Sequence, residues 1–494
     1  MNKEVKIFYL SFLLSCLFIF LRLEIIYGSD IRAPFTDDFY YYLTTSRNFI
    51  ELNRITFDQV SLTNGFQPLW FFIITFLNFF ISNDIWLNSV IINLIFLLSF
   101  LTYLNFQFFF KKNNYNNEDS NFISISICFL SLFFSKNGME ISLAIYLFSQ
   151  SLKYFNKNLF IFCIFGILTF LARIEFAIFY FVILSYELIL NKKILKINYI
   201  KKILIFPCFI ILYLLINYAF FQSYFPESGV AKSLTKQLKF NLETFSFLKS
   251  QALGMKFISL MFYLNLIGLL FLFSNKIKIF TKFSLITNLL FFLSNSLRSA
   301  WPLWTWHFFF LSISTPLIIN DFTKIIKINF FKYKTIMVSL FFVFAYSILL
   351  FKNYGANNDH ILNLAIKISD HYKSTKHKKF AMGDMAGKTS YLLNKKLFQL
   401  EGLVGGYKII KHISNEKSLC SIFSEMDVDI YLSSKIMKID DKYYVEEPSQ
   451  NSQNVKKMKS FMINEPEAIF RSGKLEIYAF NVKNNSNCLN LKIQ

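Results

Sequence analysis

Up to about residue 351 the chain alternates long apolar runs with short, lysine-bearing polar breaks. Runs such as 85–110 and 203–221 carry almost no charge, and they lack the polar stripe of a helix that packs on a soluble core. The pattern predicts membrane-spanning helices at about 7–27, 85–110, 121–135, 141–155, 159–172, 175–190, 203–223, 255–274, 283–298, 305–320 and 335–351, some eleven in all. One further apolar stretch, 68–82, has 15 residues, which is marginal for a hydrocarbon core of ~30 Å. Counted as a full span, it would put the later lysine clusters outside. Counted as a half-inserted helix, it leaves "KK" at 111, "KYFNKN" at 153, "NKKILKINYIKK" at 191, "NKIKIFTK" at 275 and "KIIKINFFKYK" at 324 on the inner face. The positive-inside bias favours the second reading. It makes 28–84 the first external loop of a transmembrane domain, 1–351, with a cytoplasmic N-terminus. From residue 352 the pattern turns polar, with short alternating segments such as "KLFQLEGL" and "DVDIYLSS". Residues 352–494 therefore read as a small external α/β domain.

Composition agrees with a polytopic α-helical protein of the plasma membrane: 54% of the 494 residues are hydrophobic and 19% aromatic. The formal charge of +21 does not imply nucleic acid, because the lysines sit between apolar segments rather than in a groove-binding patch. The basic start and apolar run at 1–28 resemble a signal peptide, but the run is too long and no small-x-small site follows, so a retained helix is expected. Of the six cysteines, Cys16, Cys128, Cys163 and Cys208 fall in predicted spans. Cys420 and Cys488 lie in the terminal domain, free or bridged.

The topology collects the polar constellations on the external side. Asp37 and Asp38 open an amphipathic stretch containing Phe39, Leu43 and Ile50. One Asp reads as a helix N-cap. A second beside it adds like-charge repulsion at the membrane surface, and such a carboxylate can take a proton from a hydroxyl. Asn64 and Gln67 close the first loop, and Glu140 opens a later helix in "NGME". "RIE" at 173–175 interrupts an apolar run, so Arg173 and Glu175 either pin a tight turn as an ion pair or face substrate. Lys232 in "PESGVAK" and Arg298, Trp301 and His307 in "RSAWPLWTWH" lie where a lipid phosphate would sit, although tryptophans there also anchor spans at the interface. "GDMAGKT" at 383–389 misses the P-loop spacing by one residue, and "DVD" at 427–429 reads as a strand edge. No metal or other cofactor is expected, though Asp37, Asp38 and Glu140 offer carboxylates for a divalent cation.

The ordered set of Asp37–Asp38, "TNGFQPLW", "NGMEISLAIYLF", "LARIEFAIFYF", "PESGVAKS" and "GDMAGKTSYLLNKKLFQLEGLVGG" resembles bacterial integral-membrane glycosyltransferases of the GT-C fold, of the type similar to dolichyl-phosphate-mannose and arabinofuranosyl transferases. The likeness covers about residues 30–410. It implies a polyprenyl-phosphate sugar as donor, an envelope glycan, lipid or protein as acceptor, and a carboxylate of the first external loop as base. Carried onto this chain, Asp37 is the preferred base and Asp38 its neighbour or substitute, with Lys232, Arg298 and Arg173 at the donor phosphate. Asn64, Gln67, Glu140, Glu175, Trp301 and His307 are then the substrate-binding set. Where relatives often have Pro, this chain has Ile174, which puts the geometry of that turn in doubt. Two rival functions are a transporter or flippase of lipid-linked saccharides, which would want charge near the membrane midplane, and an assembly protein in which Asp37, Lys232 and Arg298 do not converge.

Overall fold

The computed structural model describes residues 3–27, 34–155, 157–189, 197–326, 333–352, 359–375, 377–483 and 487–489. The opening of the first loop at 28–33, the lysines of the 191–196 and 327–332 breaks, and the 353–358 connection lie outside the described residues. The protein is mostly helical, with strands confined to its C-terminal region. The helices before that region are α1 (Lys3–Tyr27), α2 (Asp37–Leu52), α3 (Pro68–Phe80), α4 (Asp84–Lys112), α5 (Asn117–Ser135), α6 (Ile141–Tyr154), α7 (Leu159–Ala172), α8 (Ala177–Ile189), α9 (Ile197–Phe221), α10 (Glu227–Ser233), α11 (Leu253–Leu270), α12 (Ile279–Arg298), α13 (Phe309–Ile325) and α14 (Lys334–Lys352). Among the described residues, three segments are long and apolar enough to cross a membrane: Asp84–Lys112, Ile200–Phe221 and Leu253–Leu270. Val5–Leu21, Pro68–Phe80, Leu159–Ala172 and Lys334–Ile348 are apolar but shorter.

Local chemistry sets several of these boundaries. Asn83 caps α4 by accepting from the Ile85 and Trp86 N–H groups, and Lys111 and Lys112 sit in its last turn, where the helix dipole favours cations. Pro68 occupies the first turn of α3, where a missing N–H costs nothing. The 13 residues of α3 span ~20 Å; Trp70, Phe71 and Ile74 are buried, while Phe72, Phe76, Phe79 and Phe80 face outward.

The bundle has two chemically different ends. At one, Lys324 and Lys334 both pair with buried Asp119, Lys278 donates to the Asn114 carbonyl, and Lys153 and Lys157 lie over the Phe108 ring. Described lysines from the breaks at 153, 275 and 324 thus share an end. At the other end of α5, 19 residues or ~28 Å away, the Thr36 N–H donates to the Asn137 carbonyl at the start of α2.

The C-terminal region contains α15 (His360–His371), α16 (Ala386–Leu393), α17 (Tyr407–Ser414) and α18 (Leu419–Met426) with two sheets. Strands β1 (Phe380–Met382), β2 (Leu397–Gln399), β3 (Ile430–Ser433), β7 (Ala468–Ser472) and β8 (Leu475–Asn481) are ordered β2-β1-β3-β8-β7, with β1 parallel to both neighbours. Strands β4 (Ile436–Ile439), β5 (Lys442–Glu447), β6 (Met458–Met462) and β9 (Cys488–Leu489) form an antiparallel sheet. Cys420 of α18 and Cys488 of β9 are bridged, which settles the choice that the sequence left open. The "DVD" segment is structural: Asp427 ends α18 and pairs with Lys379, and Asp429 accepts from the Lys379 N–H just before β3.

Because the bridge closes a loop of 68 residues, its loss is expected to cost about 4 kcal/mol on loop-closure grounds. Cys420→Ser with Cys488→Ser should lower the thermal midpoint of this region relative to the wild type under non-reducing conditions. An unchanged midpoint would show that the bridge contributes nothing.

Candidate functional site

Asp37 and Asp38 are the first two residues of α2, and Thr36, not an Asp, holds the N-cap position. The expected capping role is therefore not taken up by either carboxylate. Asp37 instead reaches another helix start: its Oδ2 accepts from the Gly387 N–H at 3.0 Å and its Oδ1 from the Lys388 N–H at 2.7 Å. These amides open α16, so "GDMAGKT" does form an anion-holding turn, and the anion is a carboxylate of this chain. Gly387 is required by that approach, because a Cβ there would collide with the Asp37 carbonyl oxygen.

Asp38 is half-buried, and among the described residues no hydrogen bond reaches its carboxylate. It lies within electrostatic reach of Lys232, Asp384 and Glu140. Burial raises the Asp38 carboxyl to about 6, against the opposing pull of Lys232 and with the help of Asp384 and Glu140. Asp37 is raised to about 7, chiefly by burial, although its two amide partners favour the anion.

Lys232, near the end of α10, points its Nζ to 3.5 Å from His307 Nε2. The Trp304 N–H can only donate, and it donates to His307 Nδ1 at 3.1 Å. In the neutral ring the proton is then on Nε2. Nδ1 also lies 3.3 Å from the Trp304 carbonyl oxygen, but the Trp304 N–H needs an acceptor there. With the proton on Nε2, the Nε2–H and the Lys232 ammonium are two donors facing each other at 3.5 Å, and an anionic oxygen would be a partner to both. Burial, followed by the Lys232 and Arg173 cations, pushes His307 well below the ordinary imidazole value and keeps it neutral. Burial also lowers Lys232, opposed by Asp38 and Glu175.

The C-terminal region supplies further acids. Asp384 is exposed to solvent, and burial among protein atoms raises its carboxyl above the ordinary value. Glu401 is buried, accepts from Gln450 Nε2 at 3.2 Å, and is raised well above the usual carboxylate range by burial, then by Asp384 and Glu447.

The remaining expected residues divide by role. Arg173 pairs with Glu140 and, at 3.1 Å, with Glu175, and it stacks 4.7 Å from the Phe309 ring centre. The "RIE" turn is thus pinned by ion pairs, while Glu175 and Arg173 still act on Lys232. Gln67 Oε1 accepts from the Ile174 N–H at 3.2 Å, and the Tyr42 hydroxyl donates to Glu140. Asn64 Oδ1 accepts from the Glu227 N–H at 3.0 Å. These contacts hold loops together. Trp301 is buried in an apolar cluster with side chains from the first loop and the C-terminal region, Tyr41, Met385 and Leu403 among them. Arg298 is exposed at the end of α12, and among the described residues no ion pair or hydrogen bond links it to the others.

Sequence reasoning did not single out Asp384, Glu401 or Glu227. All three lie inside quoted motifs, Asp384 in "GDMAGKT", Glu401 in "KLFQLEGL" and Glu227 in "PESGVAK", whose patterns show strands and turns but not what faces them. Glu227 is a junction: its Oε2 accepts from the Thr63 hydroxyl at 2.7 Å and from the Gly406 N–H at 3.1 Å. No family model and no curated protein matches this sequence, so the site is judged on its own geometry.

Burial raises Glu227 to about 8, with Asp58 adding to the rise and its two donors opposing it. A folded-state value above the unfolded one means that its contribution is full at low pH and is lost as pH climbs through about 8. Hydrogen exchange at 402–406 should accelerate between pH 4.5 and about 8 in the wild type beyond the intrinsic pH effect, and Glu227→Gln should flatten that excess. An equal excess in the variant would remove Glu227 as its source.

Proposed function

We propose that this protein is a GT-C-type glycosyltransferase of the plasma membrane that moves a sugar from a polyprenyl-phosphate carrier to an envelope glycan, lipid or protein. The observation that carries the reading is the convergence of an unbonded carboxylate, Asp38, with two unmatched donors, Lys232 Nζ and His307 Nε2. Base and anion site are the two halves that displacement from a phosphate ester requires.

On this reading α1, α4 to α9 and α11 to α14 are eleven spans and α3 is the half-inserted helix. The orientation is supported by the lysine-rich end of the bundle, which suits the inner face. The site then opens outward, where nucleotide sugars are not expected and a lipid-borne donor is. The outward phenylalanines of α3 suit contact with lipid beside such a site.

In the reaction the acceptor hydroxyl attacks the anomeric carbon and its proton passes to Asp38. The bond from that carbon to the phosphate oxygen breaks with inversion. The electron pair leaves on polyprenyl phosphate, where Lys232 and the neutral His307 receive the growing charge. Asp38, at about 6, is largely ionised at neutral pH yet basic enough to help. The role first assigned to Asp37 thus moves one residue, because both Asp37 oxygens are already engaged.

The test is transfer of radiolabelled sugar from a panel of polyprenyl-phosphate sugars in membranes. Asp38→Asn at normal abundance should lose ~10²–10⁴-fold of the rate. In the wild type, activity should fall as pH drops through about 6, when the base becomes protonated. Undiminished transfer by Asp38→Asn would overturn the assignment. Lys232→Met should lower kcat/KM by ~10²-fold or more, with a phosphate-free lipid unable to compete. A normal kcat/KM in this variant would remove Lys232 from the donor site.

A further inference from the structure

We propose that Asp37 is a positioning residue, a latch that docks the external region so that Asp384 and Glu401 face Asp38 and Lys232. This rests on the transferase reading for its activity test alone. The latch has several supports. Both Asp37 oxygens are taken by amides of α16, and Gly387 leaves room only for this close approach. Around it, Arg47 of α2 donates to the Tyr391 carbonyl and to Asn394 Oδ1, both at 3.1 Å, and lies 4.3 Å from the Tyr391 ring centre. The Tyr391 hydroxyl donates to Asp84 at 2.6 Å. The start of α2 and the start of α4 therefore both grip α16.

Asp384 sits three residues before Gly387, so the turn that Asp37 holds is the turn that carries Asp384 toward Asp38 and Glu401. Electrostatic coupling already runs from Asp384 to Asp37, Asp38 and Glu401, and from Glu401 to Lys232. An acid-lined wall opposite the phosphate donors suits the hydroxyls of a sugar, for which carboxylates are strong acceptors. Each Asp37 oxygen keeps a second lone pair, but a proton taken there would weaken the two amide bonds by which Asp37 holds the dock. Its neighbour on α2 points about 100° away around the helix and stays free.

The dock has a second contact that allows a decisive rescue. Thr235, after α10, and Val455 form an antiparallel bridge flanked by bonds from the Lys236 N–H to the Asn454 carbonyl and from the Lys456 N–H to the Leu234 carbonyl. That makes them a non-hydrogen-bonded pair, the closely spaced kind that a disulfide can span. Thr235→Cys with Val455→Cys would staple the region in place without touching the site.

The experiment compares full-length Asp37→Asn and Asp38→Asn, each with and without the staple, in transfer and in hydrogen exchange of the peptide containing Gly387 and Lys388. Asp37→Asn should raise that exchange about tenfold or more and cut transfer at least tenfold, since one carboxylate acceptor becomes a donor facing an N–H. The staple should return Asp37→Asn to within about threefold of the stapled wild type and leave Asp38→Asn inactive. A stapled Asp37→Asn as inactive as Asp38→Asn would make Asp37 a catalytic residue and overturn the latch. Unchanged exchange in Asp37→Asn would overturn it too. If the wild type transfers no sugar, the transferase reading fails while the exchange result still decides the latch.

Discussion

The carboxylate that opens α2 and the amides that open α16 are 350 residues apart in sequence, and the bonds between them decide where the C-terminal region rests. A charge placed on a helix start is favoured because unpaired N–H groups and the helix dipole both point at it. That preference works here between segments rather than within one. Asp84 gripping Tyr391, and Glu227 gripping Thr63 and Gly406, repeat the device with other carboxylates. Close backbone approach completes it: a Cβ on Gly65 would strike the Leu403 carbonyl, and one on Gly406 would strike Ser61. The first loop, α10 and the C-terminal region therefore make one assembled surface.

From that assembly follows the electrostatics of the site. Asp38, Lys232, His307, Asp384 and Glu401 come from widely separated segments, and each would be fully hydrated if its segment stood alone. Brought together they lose water, and their carboxyls rise while the cation and the imidazole fall. Such opposed shifts in one place are a signature of sites that bind or transform a ligand. Ion pairs elsewhere do a different job. Arg173 with Glu140 and Glu175 fixes a turn, and Asp119 with Lys324 and Lys334 ties α5, α13 and α14 at the opposite end.

Much of the helical layout was legible because apolar runs and their polar breaks are local facts. The helix expected at 159–172 is Leu159–Ala172, and the one expected at 141–155 is Ile141–Tyr154. The short stretch 68–82 is the 13-residue α3, set by Pro68 at one end. At 305–320 a 3-10 turn, Thr305–Phe308, precedes α13 and carries His307 toward Lys232. Which Asp is free was not legible, since the deciding partners lie at 387 and 388 and leave no periodic mark near 37. The same holds for Arg298, whose next neighbours Ser299, Ala300 and Trp301 are buried while it stays exposed. The near-P-loop segment at 383–389 is a turn whose amides at 387 and 388 hold Asp37.

The central claim is that Lys232 and His307 hold the phosphate of a lipid-linked donor beside Asp38. A structure of the full-length protein with a polyprenyl phosphate bound tests it most directly. The account predicts phosphate oxygens within ~3.2 Å of both Lys232 Nζ and His307 Nε2, with the Asp38 carboxylate across the space that the sugar would fill. Phosphate bound at Arg298, or anywhere that leaves Lys232 and His307 unbonded, would contradict it.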